Sequence, residues 1–284
     1  MPAFSPADLV RQITRSPLFY ALSSRPLMTV SHLSRHVEHQ RNLRDSKEHD
    51  DRSARLAACI SPDGVVLSGL FAGLRYPDFT AFGSSLPPKL LGTYEAELHP
   101  ALRQLRKHYD LIIDVGCAEG YYAVGLALVY PNTPVHAYDI NAKARAFASG
   151  MAKLNGVASD VHLHELASQQ TFHACQNKSA LIIVDCEGFE RFLFSHENIA
   201  YLELSDLIIE LHPKPYPDLV QYLHSLFQAS HECSFVDSIS DAEKSTAAAV
   251  LAQLSEQDKR FSVSEFRPGP QQWLVCKSKA FTAG

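Results

Sequence analysis

No apolar run in this chain approaches the roughly 20 residues that a membrane-spanning helix needs. Residues Met1 to Val10 also lack the basic start and long apolar segment of a secretory signal. Positive charge is in deficit, with 26 Lys and Arg against 31 Asp and Glu, a formal net charge of −5. That balance argues against a general nucleic-acid binder, although it leaves room for a local basic patch. Cysteines are few, at 59, 117, 175, 186, 233 and 276, and none form a C-x-x-C pair. A zinc ribbon or dithiol redox motif is therefore not expected. Cys117, Cys186 and Cys276 lie in or beside apolar runs, where small buried thiols are expected, and a reducing, cytoplasmic location fits best. The dinucleotide fingerprint G-x-G-x-x-G is missing as well: after Gly116 the next glycines are Gly120 and Gly125, and position 118 is Ala. There is no internal repeat and no low-complexity tract.

What is present is a globular composition, 46% hydrophobic and 20% charged, in a chain long enough to bury one large core or two modest ones. Residues 1–58 read as a helical N-terminal arm, with a helix start at Pro6–Val10 and a charged stretch at 32–55. The stretch suits a solvated helix, a lid or a dimerisation arm, so a homodimer stays open. Residues 59–284 read as the main domain. Within it, 59–108 is punctuated by Gly69, Gly73, Pro77, Gly83, Pro87, Pro88 and Gly92 and leads to a helix near Tyr94–His108. A structured loop this long suggests an active-site wall that brings Tyr94 or Glu95 to the site, or a loop packed on the sheet edge.

From residue 109 onward strands and helices alternate. Strands are expected at Asp110–Val115, Val135–Asp139, Val161–His164, Ala180–Val184, Leu207–Leu211, Cys233–Val236 and Gln272–Cys276. Helices are expected at Tyr121–Tyr130, Ala142–Leu154, from Phe189, at Tyr216–Phe227 and at Ala242–Leu254. The runs LIIDV, LIIVD and LIIEL are apolar almost throughout, as in a parallel sheet covered by helices on both faces. The fold class expected is α/β, a doubly wound, mostly parallel, Rossmann-like sheet with an N-terminal helical extension.

Ligands in such sheets bind beyond the carboxyl ends of the strands. The first strand ends on Asp114, Gly116 and Gly120, where glycines permit close backbone approach to a nucleotide-like ligand. The second ends on Asp139, 23 residues after Gly116. A carboxylate there can accept both ribose hydroxyls; it could instead cap the helix from Ala142. The fourth ends in Asp185-Cys186-Glu187-Gly188-Phe189-Glu190, the fifth in Glu210-Leu211-His212. Alternation puts Asp185 and Glu187 on one face if the strand persists, and likewise Glu210 and His212. Such crowding is costly unless the groups are paired, metal-bound or functional, although Glu187 and Glu190 also suit a helix N-terminus. Asp185, Glu210 and His212 are of the right types for a divalent cation, but ligand type alone does not assign one, and no metal is expected.

Taken together, Asp114-Val-Gly-Cys-Ala-Glu-Gly-Tyr-Tyr, Val135-His-Ala-Tyr-Asp, Val184-Asp-Cys-Glu-Gly-Phe-Glu and Ile208-Ile-Glu-Leu-His resemble the successive motifs of the FkbM-like family of class I S-adenosylmethionine (SAM)-dependent methyltransferases. The resemblance covers roughly 90–235, with a weaker match to Trp273, and Gly69–Pro77 and Pro88–Glu95 are similar to segments of bacterial members. The family commonly has Glu, often followed by Pro, after the second strand, where this chain has Asp139-Ile140. The resemblance implies SAM as cofactor, held by Asp114, Gly116, Cys117, Ala118, Gly120, Tyr121, Asp139, Ile140, Ala167 and Tyr94. It implies methyl transfer to a hydroxyl of a sugar, glycan or natural-product small molecule, with His212, Glu187 and Asp185 as the catalytic candidates. An RNA or protein methyltransferase, or a non-catalytic interaction module, are the other readings of the same scaffold. No Asn-Pro-Pro-Tyr motif follows the fourth strand.

Overall fold

The computed structural model describes residues 46–214 and 216–281. The helix start expected at Pro6–Val10 and most of the arm expected at 1–58 lie outside the described residues. The fold described here is that of the unit 53–284.

Seven strands form one sheet in the order β3-β2-β1-β4-β5-β7-β6. They are β1 Leu111–Val115, β2 Val135–Tyr138, β3 Val161–His164, β4 Ala180–Val184, β5 Asp206–Glu210, β6 His231–Asp237 and β7 Gln272–Ser278. β1 to β5 pair in parallel, whereas β7 runs antiparallel between β5 and β6. All five positions of β1, β4 and β5 are buried. Their side chains alternate between two cores: Ile112, Leu181 and Ile208 join one face with Val124, Leu126 and Met151. Ile113, Ile182 and Ile209 join the other with Phe194, Leu223 and Phe227. The doubly wound α/β sheet expected from the apolar runs is therefore the one observed. Strand order reverses at β1, with β2 on one side and β4 on the other, and a crevice opens there beyond the carboxyl ends.

The helix Ala142–Leu154 follows its sequence signals: Asn141 caps it by accepting from the amides of Lys143 and Ala144, and Gly156 leaves it at φ 73°. Elsewhere tertiary contacts override local propensity. The helix expected at Ala242–Leu254 is absent. Only a short 3-10 turn, Ala249–Leu251, forms there, and the helix lies later, at Glu256–Val263, begun by the Ser255 hydroxyl accepting from the amide of Asp258. Arg260 takes the carbonyls of Ala242 and Lys244, which a helix would have used internally. The helix expected near Tyr94–His108 shrinks to Ala96–Leu98 and His99–Arg103, because Glu95 sits in the left-handed region at φ 48°. Conversely, Pro87 and Pro88 do not punctuate a loop but start the helix Leu86–Leu91, where the missing amides cost nothing. The helix expected from Tyr216 begins at Leu219, and that expected from Phe189 is the single turn Glu190–Leu193.

Candidate active site

A cavity of about 590 Å³ occupies the crevice, a size typical of small-molecule sites. Its floor is the turn after β1. The amides of Gly116 and Cys117 both donate to the carbonyl of Tyr138 at the end of β2, at 2.8 and 3.0 Å. On the other side, a Cβ at Gly116 would lie 1.5 Å from the carbonyl oxygen of Asp185. The glycine is thus demanded by the neighbouring strand end, not only by a ligand approaching the turn. Ala118, left-handed at φ 45°, donates its amide to Asp139 at 2.9 Å. Gly120 begins the helix Tyr121–Val129 at φ 96° and packs against Ala148. It does not line the cavity, whereas Asp114, Gly116, Cys117, Ala118, Tyr121, Asp139, Ile140, Ala167 and Tyr94 do.

Asp139 is not the cap of the following helix, since Asn141 fills that place. One Asp139 oxygen accepts from Ala118 and the other from the amide of Asn141 at 2.7 Å. Each carboxylate oxygen keeps a second lone pair, so the group can still accept hydroxyls from a ligand. Ile140 and Leu166 are exposed apolar residues on the cavity rim. Asp114 is 2% exposed, and its Oδ2 has no hydrogen-bond partner. Burial, reinforced by the nearby Asp185 charge, pushes its pKa up to about 8.

The wall opposite is supplied by Phe82, Gly83, Ser84, Lys89, Tyr94, Glu95 and Leu98. It is tied to the glycine turn by Glu119, which is fully buried. Glu119 accepts from Lys89, from Tyr76 Oη at 3.3 Å and from the amide of Phe82 at 3.1 Å. Neither member of the Lys89–Glu119 pair stands out in the sequence; 30 residues separate them and no local pattern links them. Glu95 accepts from Tyr122 and lies 3.4 Å from Arg267, whose guanidinium stacks on Trp273. Burial lifts the Glu95 pKa to about 7 against the pull of Arg267.

The acidic groups of β4 and β5 converge, though not by strand alternation. β4 ends at Val184, and the chain turns left-handed at Glu187 (φ 55°) and Gly188 (φ 103°). This turn swings Glu187 Oε2 to 3.7 Å from His212 Nε2. Asp185 Oδ1 lies 3.7 Å and Glu210 Oε1 4.0 Å from the same nitrogen. Asp185, Glu187 and Glu210 line the cavity, while His212 stands behind them. The Glu187 carboxylate is 88% exposed and caps nothing. Glu190 instead accepts the amides of Cys186 and Gly188 and, at 2.9 Å, His212 Nδ1. Burial opposes charge on His212, but the Glu190 hydrogen bond outweighs it and raises the imidazole pKa. Glu210 is pushed up to about 10 by burial and by the Asp185 carboxylate. Cys117 and Cys276 are buried as expected; Cys186 is half-buried.

No family model matches the chain, and no curated protein matches it in sequence. Solved methyltransferases are among the structures similar to it. One is the O-methyltransferase TomG from Streptomyces achromogenes, involved in tomaymycin synthesis and solved with SAM: 12% identity, 81% of this chain and 90% of that one, TM-score 0.45. Another is the ribosomal protein L11 methylase from Lactobacillus delbrueckii subsp. bulgaricus, with 16% identity, 72% and 85% coverage and TM-score 0.43. A third is the METTL16 MTase domain, with 11% identity, 78% and 80% coverage and TM-score 0.44. Residue roles in this chain therefore rest on the geometry above. Among the described residues no helix is long and apolar enough to cross a membrane.

Proposed function

We propose that this protein is a SAM-dependent methyltransferase of the FkbM-like kind, acting on a hydroxyl oxygen of a sugar, glycan or natural-product small molecule. The observation that carries the reading is one cavity joining the turn after β1, the carboxylate after β2 and the polar cluster after β4 and β5. The residues fit the cofactor chemically. The unpartnered Oδ2 of Asp114, buried at the cavity wall, suits a cationic group. Asp139 has acceptor capacity for ribose hydroxyls, and Ile140 with Ala167 offers apolar surface for a base. When bound, SAM supplies an electrophilic methyl group on a sulfonium. The chain's own work is to hold the acceptor hydroxyl in line and to receive its proton. Asp185 and Glu187 on the wall, with His212 behind them, supply the proton-accepting groups beside the acceptor. Among the described residues, acidic side chains outnumber Lys89, the single Lys or Arg lining the cavity, which disfavours a polyanionic RNA acceptor.

The test is calorimetric titration with SAM and S-adenosylhomocysteine, followed by transfer of labelled methyl to panels of glycans, hydroxylated small molecules, RNA and protein. Micromolar SAM binding with methylation of a hydroxylated small molecule or glycan is expected. A folded protein that binds neither cofactor form would overturn the reading.

A further inference from the structure

We infer that Asp185, Glu187 and His212 form a binding site for a divalent transition-metal ion, with Glu210 as a further oxygen donor beside it. One ligand atom from each of the three lies within 4.8 Å of the others. The two separations from His212 Nε2, both 3.7 Å, carry the geometric argument. Bonds of about 2.1 Å to one ion, opened to about 110–120°, leave donors roughly 3.4–3.6 Å apart, within about 0.3 Å of these separations. The third separation closes by a swing of the exposed Glu187 side chain.

Three further observations point the same way. First, His212 is oriented from behind. Its Nδ1 faces Glu190 Oε1 at 2.9 Å, and Glu190 is itself fully buried and held by the amides of Cys186 and Gly188. A carboxylate on the far nitrogen fixes the tautomer of a metal-binding histidine and presents its other lone pair to the ion. Here that nitrogen lies within 4.0 Å of the Asp185, Glu187 and Glu210 side chains. Second, Asp185 Oδ1, one of the atoms facing Nε2, is a buried atom that takes no N–H donor among the described residues, although the Asp185 side chain is 42% exposed and shares a hydrogen bond with the Glu210 carboxyl. Buried carboxylate oxygens are rarely left so. Third, among the described residues no Lys or Arg nitrogen lies within 4.0 Å of Asp185 or Glu187 to balance them, although Glu95, Glu119 and Glu265 nearby all have such partners. Two carboxylates and one imidazole suit Mn²⁺, Fe²⁺, Co²⁺ or Zn²⁺ rather than an all-oxygen ion such as Ca²⁺.

Asp185 and Glu187 line the cavity, so an ion between them would keep open positions towards it. Resting on the methyltransferase reading, this specifies the acceptor: a hydroxyl with a second oxygen on the adjacent carbon, able to bind the ion through both. Metal binding lowers the pKa of a bound hydroxyl, which favours its nucleophilic form. The metal site itself does not depend on that reading.

The test uses the full chain, stripped with EDTA and titrated with Mn²⁺ while free Mn²⁺ is followed by electron paramagnetic resonance. One saturable site per chain is expected. Glu187→Gln, an exposed substitution that leaves the core untouched, and His212→Ala should each weaken it at least tenfold. Glu190→Gln should weaken it roughly 10–100-fold through the histidine. Absence of saturable binding of Mn²⁺, Co²⁺ and Zn²⁺, or binding unchanged in folded Glu187→Gln and His212→Ala, would overturn the site. SAM titration of the same metal-free sample tests the methyltransferase reading separately, because neither Glu187 nor His212 is among its expected contacts.

Discussion

Replacing Lys89 by Met tests how the cavity wall is fastened to the sheet. Lys89 is 3% exposed and Glu119 not at all, so the variant leaves a carboxylate in the interior with only Tyr76 and the Phe82 amide as donors. Removing one partner of a buried ion pair costs about 3–5 kcal/mol. The two surviving hydrogen bonds place the expected loss near the lower end, about 3 kcal/mol. For a domain of this size that is a fall in Tm of roughly 6–12 °C. The double variant Lys89→Met with Glu119→Gln removes the stranded charge and should recover at least half of the loss. Both Lys89 and Phe82 line the cavity, so the single variant should also bind SAM more weakly. Urea and thermal unfolding followed by circular dichroism measure the stability, and calorimetry the affinity. A single variant within 1 kcal/mol of the parent, or a double variant no better than the single one, would refute the reasoning.

Gly116→Ala should prevent native folding, since its Cβ would meet the Asp185 carbonyl at 1.5 Å, whereas Ala118→Gly should be tolerated or stabilising; soluble yield and Tm compare the two. Asp139→Asn should raise the Kd for SAM roughly 10–100-fold with little change in Tm, consistent with losing charged hydrogen bonds worth about 1.5–3 kcal/mol. Asp114 supplies a pH test. With a folded pKa of about 8, above the usual carboxylate value, the folded chain keeps a proton that the unfolded chain releases. Its contribution to stability is full below the unfolded value, near pH 4, and is lost progressively as pH rises to about 8. Asp114→Asn should therefore gain stability relative to the parent between pH 5 and pH 9 in urea unfolding; a pH-independent difference would show that Asp114 is already ionised. For the same reason SAM binding at pH 7 should release a proton, read by calorimetry in buffers of different ionisation heat.

Much of the sheet could be read from local pattern. LIIDV, LIIVD and LIIEL are long enough and apolar enough to place β1, β4 and β5, and Asn155-Gly156 marks the end of the helix it closes. The acidic residues at the strand ends were visible for the same reason, because charge at the end of an apolar run is conspicuous. What was not legible depends on partners distant in sequence. Glu119 sits inside the glycine motif, yet its lysine comes from a helix whose two prolines look like a loop. Glu187 meets His212 through a left-handed turn, where strand alternation was the available guide. The alanine-rich 246–249 stretch favours a helix by propensity, and Arg260 diverts the carbonyls just before it.

The placing of β7 has a consequence for how the chain is made. β7 follows β6 in sequence but lies inside it, between β5 and β6. As the polypeptide leaves the ribosome, β1 to β5 can assemble in the order of their synthesis, but β6 then emerges with no neighbour to pair with. Until Gln272–Ser278 arrives, the outer edge of β5 stays unsatisfied, and an open edge of that kind invites pairing with another chain. The 34 residues between β6 and β7, Ser238 to Gln271, thus set how long that edge stays open as the chain emerges.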